Sequence, residues 1–134
     1  MAKLEINTGE ISLEIERDGA YVGDFKFNPS DVKLAKRFYA AQTEFSEKNA
    51  EIEEKLKEVS SNEKDGIALY EETAQYARGV IDKIFGDGSA DLVLGDSLSE
   101  QAFSDFFSGI SPYFQKASAN RVSKYTEKYK GQGV

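Results

Sequence analysis

Near the start of the chain, apolar residues recur mostly at period two: Leu4 and Ile6, then Ile11, Leu13 and Ile15, then Tyr21, Phe25 and Phe27. That period puts them on one face of strands whose other face is charged. Thr8-Gly9 and Asp18-Gly19 supply turn residues between the runs. The pattern predicts an antiparallel β-meander of two or three strands over residues 1–28. So small a sheet is not stable alone, so its apolar face is expected to pack on the helices that follow.

After Asn28-Pro29 the period changes. Ser30 is a suitable N-cap, and Asp31 suits the positive end of a helix dipole. Leu34, Phe38, Ala41, Phe45, Ile52, Leu56 and Val59 then follow at steps of three, four or seven, a narrow stripe on a helix of nearly thirty residues. Few apolar residues fall in 46–54, so the distal half is expected to project from the core or to pair with another helix. Residues 60–66 form a polar break, with Asn62 or Asp65 as the next cap. A second helix over 67–85 carries Ile67, Tyr70, Ala74, Ala77, Ile81 and Ile84 and folds back on the first, with Gly86 as its left-handed stop.

Residues 87–99 read as a loop with one helical turn around 92–94, closed by Gly95. Ser97 with Glu100 fits a capping box, predicting a third helix over 98–107 that Gly109 stops. Ser111-Pro112 then looks like a cap with proline at the first helical position, opening a fourth helix to about residue 130. The fold class expected is α+β, mainly α: a small N-terminal antiparallel β-meander followed by about four helices, the first two a long helical hairpin. A single domain spans 1–130 (meander 1–28, hairpin 30–85, C-terminal helices 86–130), and 131–134 form a flexible tail.

Composition narrows the chemistry. The 134 residues include no His and no Cys, which excludes imidazole proton shuttling, histidine- or thiolate-bound zinc, disulfides and the Ser-His and Cys-His nucleophile pairs. The expectation is a non-enzymatic protein without a cofactor. No stretch approaches the ~20 apolar residues of a membrane span, and the N-terminus lacks the basic-then-apolar run of a signal peptide, so a cytoplasmic protein is expected. Asp87, Ser89 and Asp91 alternate like the opening of a calcium loop, but Leu92 and Leu98 stand where that loop needs Gly and Glu. No metal site is expected there.

Charge is divided unevenly. Residues 112–134 hold five cations and one acid, a net +4, whereas residues 1–111 hold twelve cations and 23 acids, a net −11. Such a chain can attract the acidic body of its own copies. The candidate self-association surface pairs Lys116, Arg121, Lys124 and Lys128 with Glu53, Glu54, Glu71 and Glu72. Those cations beside Tyr125 and Tyr129 also resemble a single-stranded nucleic-acid surface, the alternative reading being a nucleic-acid-binding regulator. The acidic body argues against it, because it repels a phosphate backbone. The aromatic group around Phe103 reads mostly as core. Phe106 and Phe107, adjacent and about 100° apart on a helix, leave one ring for a partner, so Phe106, Phe107 and Tyr113 are the candidate client-binding residues.

The order of parts carries a resemblance. LEINTGEISLEIE at 4–16, FNPSDVKLAKRFY at 27–39, IDKIFGDG at 81–88, LGD at 94–96, FFSGISPYFQKA at 106–117 and RVSKY at 121–125 together resemble tail assembly chaperones of long-tailed phages and prophages of Gram-positive bacteria. These motifs are structural punctuation, and the family has no catalytic residue to carry over. The resemblance implies a largely helical protein of the host cytoplasm that multimerises around the tape-measure protein during tail assembly and is absent from the finished virion. It also implies that a longer, frameshifted form can be made.

Overall fold

The computed structural model describes the backbone of residues 1–58 and 63–132, and the side chains there except at 63, 65 and 127–132. Two strands, β1 (Ile11–Arg17) and β2 (Ala20–Phe27), precede four helices: α1 (Val32–Glu58), α2 (Glu63–Phe85), α3 (Ser89–Leu94) and α4 (Glu100–Gln132). The fold is α+β and mainly α. Asp18 and Gly19, both with positive φ (53° and 83°), make the tight turn that matches strand twist, and β1 pairs antiparallel with β2 from Arg17↔Ala20 to Ile11↔Phe27. Among the described residues the sheet has only these two strands. Leu4 and Ile6, which alternate like a third, lie in an irregular segment and are 85% and 73% exposed.

Two of the predicted N-caps, Ser30 and Ser97, fall one and two residues off. Asp31, rather than Ser30, caps α1: its Oδ1 accepts from the Lys33 amide at 2.9 Å, while the Ser30 amide donates to Asn28 Oδ1. At α4 the cap is Ser99, whose Oγ accepts from the Ala102 amide, and Ser97 instead accepts from the Ser99 amide. Helix α2 starts at Glu63, so Asp65 lies inside it and is not its cap. Val59 and Asn62, the expected last stripe residue of α1 and the other candidate cap, lie outside the described residues.

The largest departure is at the C-terminal end, where one helix of 33 residues replaces the two expected, with Pro112 in its interior. Gly109 has no left-handed φ and stops nothing. The reason is burial. Phe106, Ile110, Phe114 and Ala117, at 6%, 3%, 0% and 8% exposure, form one stripe that runs straight through the expected break. An interior proline costs about 3 kcal/mol, whereas each of the three large side chains in that stripe contributes about 1.5–3 kcal/mol when buried. Continuity therefore wins. The same helix runs on to Gln132, through the first two residues of the expected flexible tail. Gly133 and Val134 lie outside the described residues.

Each element contributes to a single core. Phe25 and Phe27 from β2, Phe38 from α1, Ile81 and Ile84 from α2, Leu94 from α3 and Phe114 from α4 meet there, with Phe38 and Phe114 stacked at 4.1 Å and 2°. Polar contacts close the end around α3. Arg37 Nε donates to the Ile84 carbonyl at 3.2 Å, Asp82 Oδ1 accepts from the Ala90 amide at 2.9 Å, and Arg17 Nη1 donates to the Leu92 carbonyl at 3.0 Å. Gly86, at φ 112°, ends α2 and donates to the Asp82 carbonyl, as a left-handed stop does. Among the described residues, no helix is long and apolar enough to cross a membrane.

Candidate functional site

The α1–α2 hairpin has two unlike faces. One is latched by charge: Lys48 Nζ lies 3.8 Å from Glu72 and 5.4 Å from the centre of the Tyr76 ring, the Tyr76 hydroxyl donates to Glu44 at 3.4 Å, and Lys83 lies 3.7 Å from Glu44. Burial, and then the Glu44 carboxylate, push the Tyr76 hydroxyl above the ordinary tyrosine range. Exposed ion pairs of this kind contribute little stability, so the latch chiefly fixes the register of the two helices.

The other face opens into a groove. Phe45, Ile52 and Leu56 of α1, Tyr70, Ala74 and Ala77 of α2, and Phe103 and Phe107 of α4, with Leu98 just before it, enclose about 950 Å³. Phe38 belongs to both groove and core. Lining residues of α1 extend from Phe38 to Leu56, which is roughly 27 Å at the helical rise of 1.5 Å per residue. The polar lining is sparse: Gln42, Ser46, Asn49, Thr73 and Ser104, with Thr73 Oγ1 already donating to the Leu69 carbonyl. Its charged members are Glu53 and Glu100, both acidic.

The structure separates the residues that the sequence grouped. Phe106 is 6% exposed and edge-on to Phe25 and Phe85, so it is core and presents no client surface. Phe107 is half-buried and faces the groove, packed edge-on against Phe45. Tyr113 lies elsewhere, against Phe27. Of the four acids, Glu53 lines the groove, Glu72 belongs to the latch, Glu54 pairs with Lys57 at 3.2 Å, and Glu71 is exposed on α2. Lys116 and Lys124 are exposed on α4, while Arg121 is half-buried and donates to the Pro29 carbonyl at 3.4 Å. The side chain of Lys128 lies outside the described residues. Among the described residues no three acidic side chains gather as a metal site would require, and Asp91 of the suspected loop is paired with Arg78.

The groove residues were legible as an apolar stripe but not as a site. What would have pointed to them is the mismatch between stripe and cover: Ile67 and Tyr70 continue the α2 stripe, yet they are 58% and 59% exposed. Residues 23–133 match a family described as being of unknown function, DUF6673. The chain belongs to the DUF6673 family. Neither the curated proteins nor the solved structures contain a match. The groove of this DUF6673 protein is therefore read on its own geometry.

Proposed function

We propose that this protein is a non-enzymatic assembly chaperone of a phage or prophage tail, and that its groove holds an amphipathic helical segment of the tape-measure protein. The observation that carries the helix-binding part is the groove's shape: apolar, about five helical turns long by the rise per residue, and walled by three helices. Grooves of that form take helices through anchors at i, i+3, i+4 and i+7. The resemblance of the sequence motifs to tail assembly chaperones supports the choice of client. Glu53 and Glu100 at the groove, and the acidic hairpin tip beyond it, favour a segment with Lys or Arg flanking its apolar stripe. The same acidic hairpin suits the exposed cations Lys116 and Lys124 of a neighbouring copy. Many weak contacts of both kinds would line subunits along a long client by avidity.

Titration of the full chain with overlapping peptides from the proposed client, a tape-measure protein, is the test. Binding should localise to amphipathic helical peptides and fall at least tenfold in Tyr70→Glu and Leu98→Glu, two exposed groove positions whose change leaves the core intact. Equal binding by both variants, or no binding to any such peptide, would remove the proposal.

A further inference from the structure

Leu4 and Ile6 are among the most exposed large apolar side chains of the fold, at 85% and 73%, in a segment with strand alternation but no strand partner. Beside the sheet there is a matching vacancy. Among the described residues strand β1 pairs only with β2, which leaves its outer edge open, and Ile11, Leu13 and Ile15 on its inner face are only half-buried.

The segment cannot fill this edge in its own chain as it is held. The Thr8 carbonyl accepts from Asn28 Nδ2 at 2.9 Å, and Gly9, at φ 94°, lies so close to Ser30 that a β-carbon would come within 2.7 Å of its Oγ. Residues 8 and 9 are thus clasped to the connection between β2 and α1. Residues 1–10 form neither a turn nor a strand, so within the chain the segment does not fold back along β1.

We infer that residues 2–7 of one copy add as a third strand to the outer edge of β1 in a second copy. One antiparallel register satisfies every position. Leu4 opposite Leu13 and Ile6 opposite Ile11 join the apolar face, while Lys3 falls opposite Glu14 and Glu5 opposite Ser12 on the exposed face. Shifting this register by two residues in either direction sets Glu5 against Glu10 or against Glu14, a like-charge pair. Charge complementarity therefore selects the same register that buries the two stranded apolar side chains. This inference does not depend on the occupant of the groove.

The chain has no cysteine, so introduced thiols report the contact cleanly. A Leu4→Cys variant mixed with a Leu13→Cys variant should give a disulfide-linked pair of unlike chains on oxidation. A chain carrying both substitutions should give linked oligomers; a double variant that closes only within a monomer would overturn the inference. In parallel, light scattering at high salt, where contacts between α4 and the acidic hairpin are screened, should show the intact chain at twice 14.9 kDa or more. A chain lacking residues 1–7, and Leu4→Asp/Ile6→Asp, should fall to the mass of one chain with unchanged helicity and unchanged peptide binding. An intact chain that is monomeric, or a shortened one that stays oligomeric, would also overturn it.

Discussion

Individual residues in this protein matter according to what covers them. Phe114 is fully buried and stacked on Phe38, so Phe114→Ala should lower the unfolding free energy by about 3–5 kcal/mol, read from denaturant unfolding. A loss within ~1 kcal/mol would mean the stack can collapse without a cavity. Asp31 acts through its backbone partners instead: removing its cap in Asp31→Ala should cost about 1 kcal/mol, whereas Ser30→Ala should leave stability nearly unchanged, a contrast that thermal melts can resolve. Tyr76 makes a prediction about pH. Its hydroxyl is held above its ordinary range by burial and Glu44, so the folded state keeps the proton longer than the unfolded chain does. The stability tied to that proton is fully present below the unfolded tyrosine pKa of about 10 and is lost as pH rises through the raised folded value. Tyr76→Phe should therefore flatten the alkaline fall in stability; an identical fall in the variant would remove Tyr76 as its source.

Among elements, what could be read from the sequence depended on whether local signals and burial agreed. They agreed at β1–β2, where Asp18-Gly19 dictated the turn, and at the α1–α2 hairpin, where two stripes of matching spacing found each other. They disagreed at α4. Ser111-Pro112 is a strong local start signal, yet Phe106, Ile110 and Phe114 lie on one stripe that only a continuous helix can bury, and tertiary packing overrode the punctuation. The expectation at element scale follows directly: Pro112→Ala restores an amide donor to the Ser108 carbonyl and should stabilise the protein by up to about 3 kcal/mol. A lower melting temperature in that variant would show that the proline is accommodated in a way alanine cannot reproduce. The groove was half legible. The thin apolar content of residues 46–54 pointed to a distal half of α1 that projects from the core or pairs with another helix, but only the fold shows that Phe103, Phe107 and Leu98 form a wall of the groove beside it, because those residues are far apart in sequence from α1.

The whole molecule is asymmetric in both charge and burial. Its compact end, around Phe38 and Phe114, is a closed core, while an apolar groove runs along its acidic helical hairpin and its basic α4 extends past Arg121 with Val122 64% exposed. The proposed partners match this asymmetry: a helical client in the groove and further copies at the charged and strand surfaces. Salt should act on these contacts unequally, weakening those between α4 and the acidic hairpin and sparing the apolar groove. The claim that a helix occupies the groove is tested most directly by a photo-crosslinking side chain at position 70, with position 21 on the distant β-hairpin as the control, in cells co-producing the tape-measure protein. The account predicts crosslinks from position 70 to residues spaced three, four or seven apart in a helical segment of the client, and none from position 21. Crosslinks from both positions alike, or from neither, would contradict it.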